Sequence, residues 1–373
     1  MRTSHRTIRK LIREEQSKIT DEQLFSSQQF SAYMTDIVET ATKRYRRRSK
    51  VKMHWDPFSN SDVAHTDNRL IHINAANFLT RSFPTRSLQA DSIIGLAGHE
   101  AGHILFTDFT MLQIHMQALE AGSFYPAEPG NLTMLQSLSL QQIKNYFEEK
   151  DEAVIQAIRL VTHSLVNTME DLYIEARMMD AFPGSFKTGI LLNNLRFSED
   201  IPSVTDEIAE GHHEVFIIIN LLIQYAKSGD LNNADGYKGK YLDTLYECIP
   251  FLDDAAYDED AKARYQAANQ MLVLLWPYMP SLIEQVREDL KNKTHHAAQA
   301  AEEQLATPPK TLSGTSKPVP SKTPYNHTPS SEDEERERLQ SALDYETGRI
   351  ALEKTDEISE GDSGGTSYDR NFS

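Results

Sequence analysis

A single cysteine, Cys248, stands in a chain of 373 residues. One thiol closes no disulfide within the chain and builds no cysteine-based metal site, and such sparing use agrees with a reducing compartment. Long apolar runs are missing too, since no stretch approaches the roughly 18 consecutive apolar residues of a membrane-crossing helix. Met1-Arg2-Thr3-Ser4-His5-Arg6 carries charge but is not followed by the apolar stretch of roughly 7 to 15 residues that a secretory signal uses. The expectation is a soluble, cytoplasmic protein with no membrane association.

Positive charge is also in short supply: 38 Lys and Arg face 55 Asp and Glu, a net charge of −17. That balance argues against non-specific binding to nucleic acid. Lys43-Arg44-Tyr45-Arg46-Arg47-Arg48-Ser49-Lys50 is the exception, a basic run suited to a phosphate backbone, an acidic partner or the chain's own acidic tail. No aromatic-rich strand or helix-turn-helix accompanies it, and a solvated helix end is the plainer account. Beyond His296 the composition changes. Residues 307–330 are rich in Pro, Ser, Thr and Lys, and 331–362 are acidic with few aromatics, so residues 296–373 are expected to be a disordered linker or tail, suited to tethering a partner.

What is present reads as an α+β protein, predominantly α-helical, with a small sheet ahead of a functional helix. Residues 1–50 form a basic helical segment with a break near Thr20 and Asp21, where Thr20 and Gln23 fit a capping box. Residues 51–295 form the main domain, and 39% hydrophobic content suffices for a sizeable core there. Val51 to Trp55 and Leu70 to Asn74 alternate as strands do, with turn chemistry at Ala64 to Arg69. Long helical patterns follow at about 88–106, 135–181, 206–228, 237–248 and 258–292. The Gly-, Pro- and Asn-containing stretch from Gly122 to Asn131 fits a lid or a plain connector.

Chemistry concentrates in His99-Glu100-Ala101-Gly102-His103, set in an uncharged stretch from Ser92 to Phe106. On a helix, residues four apart share a face, so both imidazoles reach one Zn²⁺ while Glu100 stands beside it as general base. A pair of hydrogen-bonded histidines without metal is the competing account. Gly98 and Gly102 lower helix propensity, which fits close approach of a substrate or of another helix. A catalytic zinc needs a third protein ligand. Phe106 and Phe109 occupy the positions where the metzincin extension places Gly and His or Asp, which excludes that source. The segment from Leu160 to Met179 gathers His163, Asn167, Glu170 and Asp171 beside an apolar helical stripe. Glu170 is the expected third ligand, with Asp171 competing. Asn167, Asp171 and Glu175 are expected to hold a ligand imidazole through its second nitrogen, and Tyr173 and His163 are candidate oxyanion donors by position. A solvated acidic stripe is the alternative reading of this helix.

The two segments together resemble the gluzincin division of zinc metallopeptidases. The block from Gly98 to Asp108, with Asn167 to Glu175, is similar to the metallopeptidase-like region of bacterial and phage proteins that carry a von Willebrand A domain, described as cobaltochelatase T-subunit-like. The resemblance covers about residues 50–180. It implies a zincin-like fold, His99, His103 and Glu170 as ligands and Glu100 as base, acting on a peptide or protein substrate whose backbone pairs with the strand at 70–74. Two departures stand out. Gluzincins place an acid four residues after the ligand Glu, yet Ile174 follows Glu170 at that spacing, whereas Glu175 follows Asp171. No D-x-S-x-S signature of a von Willebrand A domain occurs. The resemblance equally implies a non-catalytic, metal-stabilised assembly subunit whose partner is an AAA+ ATPase or a von Willebrand A domain protein. The ATPase would be a separate protein, because no Walker motif is present here.

Overall fold

The computed structural model describes residues 9–10, 18–59, 62–67, 69–234 and 236–291. The chain divides into two units, 1–329 and 330–373, and every described residue lies in the first. The tail expected at 296–373 and the helix expected before Thr20 lie outside the described residues, apart from residues 9–10 and 18–19.

The architecture is α+β and predominantly helical, with one three-stranded sheet near the start. In chain order the early elements are α1 (Asp21–Phe25), α2 (Gln28–Lys43), β1 (Lys50–His54), β2 (Ala64–Thr66), β3 (Leu70–Asn74) and α3 (Phe78–Arg81). The site helices follow as α4 (Arg86–Phe106), α5 (Phe109–Glu120), α6 (Met134–Glu149) and α7 (Glu152–Ala181). The remainder is α8 (Lys187–Glu199), α9 (Val204–Ala209), α10 (Glu214–Ser228), α11 (Lys240–Tyr257), α12 (Ala261–Leu275) and α13 (Pro280–Lys291).

Local chemistry explains several boundaries. Thr20 and Gln23 make the capping box that starts α1, and Ser27 then caps α2 through Phe30 N–H. The helical pattern across 135–181 breaks because Lys150 adopts a left-handed conformation at φ 53° and Asp151 accepts a hydrogen bond from Val154 N–H to start α7. Asp67 Oδ1 accepts from Arg69 and Leu70 N–H, turning β2 into β3. Ala64 to Thr66, read from sequence as part of a turn, is thereby a strand.

The sheet order is β1-β3-β2, with β3 parallel to β1 and antiparallel to β2. Leu70 to Asn74 is therefore the central strand, bonded on both sides, and cannot offer a free edge to a substrate backbone. This corrects the expectation for that segment. Alternation specifies which face a strand buries, and says nothing about which strands flank it. The outer edge of β1 is met by α2, where Thr35 Oγ1 accepts from Val51 N–H and Ser31 Oγ donates to Val51 O, which leaves β2 as the edge strand.

Two long helices carry the core. α7 packs against α4, α5, α8 and α10 to α13, and its residues are buried nearly all round, as expected of a helix surrounded by others. α4 crosses α8 at Gly95 and Gly189, where the two backbones touch. A Cβ on Gly95 would lie 2.2 Å from the carbonyl carbon of Gly189. Gly98 and Gly102 make room for Phe186 and for Ile174 and Met178 respectively, so helix packing accounts for both. Gly95→Ala is expected to destabilise the fold by more than about 3 kcal/mol, because backbone cannot rotate out of the way. Gly184→Ala, with nothing within 4 Å of the added carbon, is expected to be near neutral. Denaturant midpoints of the two variants measure the contrast.

The Gly122–Asn131 connection is tied down. Asn269 of α12 donates to Tyr125 O and Ala127 O, Gln270 donates to Gly130 O, and His115 Nδ1 donates to Tyr125 O at 2.8 Å. Of the two sequence readings, the connector describes it. Glu207 on α9 is wholly buried beside Asn220, whose amide donates to it. Burial pushes its pKa up to about 8 against the opposing Asn220 hydrogen bond. The folded state then keeps a proton that the unfolded chain has released above its ordinary 4.5, so stability falls as pH rises from about 4.5 to 8. Glu207→Gln is expected to flatten that slope and raise stability at pH 8, as paired denaturation curves at pH 5 and 8 would report.

Candidate metal centre

α4 presents His99 and His103 one turn apart, both buried, with Glu100 between them and wholly buried as well. The two Nε2 atoms lie 3.2 Å apart. From α7, Asp171 brings Oδ1 to 3.7 Å from His99 Nε2 and 3.5 Å from His103 Nε2. These three donors form the group able to hold a metal ion among the described residues.

Hydrogen bonding fixes how the imidazoles face the group. Glu175 Oε1 takes a hydrogen bond from His99 Nδ1 at 2.7 Å and another from Lys227 Nζ at 2.8 Å. Oε2 of the same carboxylate accepts from Asn194 Nδ2 at 2.7 Å. A carboxylate so surrounded is an acceptor only, so His99 Nδ1 carries the hydrogen and, in the neutral ring, Nε2 offers its lone pair. His103 Nδ1 meets Thr107 Oγ1 at 3.0 Å, the residue that ends α4.

The donor set fits a small tetrahedral cation. Bonds of about 2.0–2.1 Å at tetrahedral angles put ligand atoms roughly 3.3 Å apart, and the observed triangle has edges of 3.2, 3.5 and 3.7 Å. Asp171 Oδ1 is buried and accepts no hydrogen bond, an expensive state for a carboxylate oxygen unless a cation meets it. Burial would raise the Asp171 pKa, but Lys227 foremost, then the two imidazoles, reverse this and hold it below the usual carboxylate range. Burial lowers His99, yet Asp171 and Glu175 outweigh it and keep that imidazole above its ordinary value. At His103 burial prevails over Asp171 and the pKa falls. The carboxylates thus favour a second proton on His99, and a cation would compete with it for Nε2.

No family model, curated protein or solved structure matches the chain.

Glu170, the expected third ligand, is not in the donor group. Its Oε2 accepts from Arg264 Nε of α12 at 2.7 Å, and Asp171 takes the place beside the imidazoles. Helix phase is the reason: adjacent residues project about 100° apart. Asn167, Asp171 and Glu175 share the face turned to α4 and α10, while Glu170 faces α12. Glu175 bonds His99 through Nδ1, as expected, whereas Asn167 Nδ2 stands 3.5 Å from Asp171 Oδ2 and not at an imidazole. The solvated-stripe account of this helix does not describe it, because Asn167, Glu170, Asp171 and Glu175 are all buried.

Tyr173 is engaged elsewhere, with Arg264 Cζ 4.0 Å and Arg177 Cζ 5.3 Å from its ring centre. His163, two turns before Asp171, is pushed down to about 4 by burial first and Arg159 second. The Asp171 charge opposes that fall without reversing it. Sequence reading missed Lys227 and Asn194. The signal for Lys227 was present in α10, where Asn220, Gln224 and Lys227 form a single polar line through an apolar helix, and all three are buried.

Proposed function

We propose that His99, His103 and Asp171 hold a zinc ion and that the protein is a zinc-dependent peptidase with Glu100 as general base. The convergence of two Nε2 atoms with an otherwise unbonded carboxylate oxygen, one imidazole being oriented by Glu175, supports this reading most directly. Three protein donors leave one tetrahedral position for water or substrate. When bound, zinc supplies Lewis acidity, lowering the pKa of water and polarising a scissile carbonyl. Glu175 keeps the His99 ring turned toward the donor group, with Lys227 and Asn194 holding Glu175 in turn. Glu100, one residue from His99 and three from His103, accepts the proton of the attacking water and returns it to the leaving amine.

Burial favours a second reading. His99, Glu100, His103 and Asp171 are each at most 3% exposed, which suits a cation that pins α4 to α7 in a non-catalytic assembly subunit with an ATPase or von Willebrand A domain partner. Metal analysis of the purified protein and of His99→Ala tests the feature common to both. About one zinc per chain, lost in the variant, is expected. Equal metal in both proteins removes the site.

A further inference from the structure

We propose that Lys227 is a positioning residue. Its ammonium is the resident counter-ion of the Asp171 and Glu175 carboxylates, holding both in the ligating arrangement before metal arrives and reserving Asp171 Oδ1 for the cation. The inference rests on the metal site proposed above.

Asp171 and Glu175 stand one turn apart on α7, and both are buried. Two carboxylates so placed repel strongly at low local dielectric unless a positive charge lies between them. Lys227, in the last turn of α10 and itself buried, supplies it. Nζ lies 2.8 Å from Glu175 Oε1 and 3.5 Å from Asp171 Oδ2. Each contact shapes the ligand set. Glu175 Oε1 is also the acceptor for His99 Nδ1, so the ammonium anchors the carboxylate that orients that ring. Asp171 Oδ2 faces Lys227 and Asn167, which leaves Oδ1 alone toward the imidazoles. With Oδ2 so engaged, Asp171 binds through one oxygen, and the coordination number stays low enough for an open position.

A role confined to tying α10 to α7 makes a different prediction. Such a tie contributes equally with and without metal, whereas a counter-ion matters most when the cation is absent. Lys227→Met in the full-length chain is therefore expected to lower the Tm of the metal-free protein sharply and that of the zinc-loaded protein much less. The zinc-induced rise in Tm then becomes about twice the wild-type rise or more. With Co²⁺ in place of zinc, the visible absorption is expected to weaken and shift as Asp171 binds through both oxygens. The double variant Lys227→Met/Glu175→Gln removes the ion pair as a neutral unit, which protects folding while still freeing Asp171 Oδ2, and should show the same cobalt shift. Equal loss of Tm in both metal states, with a wild-type cobalt spectrum in either variant, overturns the inference. Wild-type protein that takes up neither Zn²⁺ nor Co²⁺ overturns the metal site itself, and the inference with it.

Discussion

Glu100→Gln is expected to retain its full complement of zinc and to cleave a fluorogenic peptide library about 10²–10⁴-fold more slowly than wild type. The substitution keeps the size of a wholly buried side chain and leaves His99, His103 and Asp171 untouched. It removes only the capacity to accept a proton. Loss of turnover with metal retained separates a base from a ligand, because a ligand variant loses both. The assembly reading makes the opposite forecast: wild type binds zinc but cleaves nothing in the library, and Glu100→Gln behaves like wild type in metal content and in Tm. Metal analysis and turnover on the same two preparations decide between the readings.

Much of the path to that experiment was legible in the residue order. The alternation at Leu70 to Asn74 matches β3 at both ends, and the apolar stretch around His99 lies within α4. Both follow from local periodicity. Strand neighbours did not, since β3 became central only when β1 and β2 closed on its two edges. The break at Lys150 was equally hidden, because a left-handed residue between two helical patterns leaves no periodic trace when it is not glycine. Adjacent Glu170 and Asp171 are chemically near-equivalent in a sequence. Their roles separate by about 100° of helix phase and by which neighbour packs on each face, a tertiary fact. One local clue pointed the right way, the acid four residues after Asp171, and Glu175 is indeed the group on His99.

The assignment of the acidic ligand produces the other large expected effect. Asp171→Ala is expected to weaken zinc binding more than about a hundredfold, since it deletes the oxygen that completes the donor triangle. Lys227 retains Glu175 in that variant, so the fold has a remaining partner for the ammonium. Glu170→Ala should do the reverse. It leaves the zinc in place but strips Arg264, 1% exposed, of the carboxylate that balances it at 2.7 Å. A buried cation deprived of its partner costs about 3–5 kcal/mol, which denaturant midpoints would record. Arg264 also donates to Asp258 O and lies over the Tyr173 ring, so it is held in place and cannot easily swing out to water. A Glu170→Ala/Arg264→Met double variant should recover much of that loss, because it withdraws both charges together. Zinc lost from Glu170→Ala while Asp171→Ala keeps it would reverse the assignment and return Glu170 to the position of third ligand.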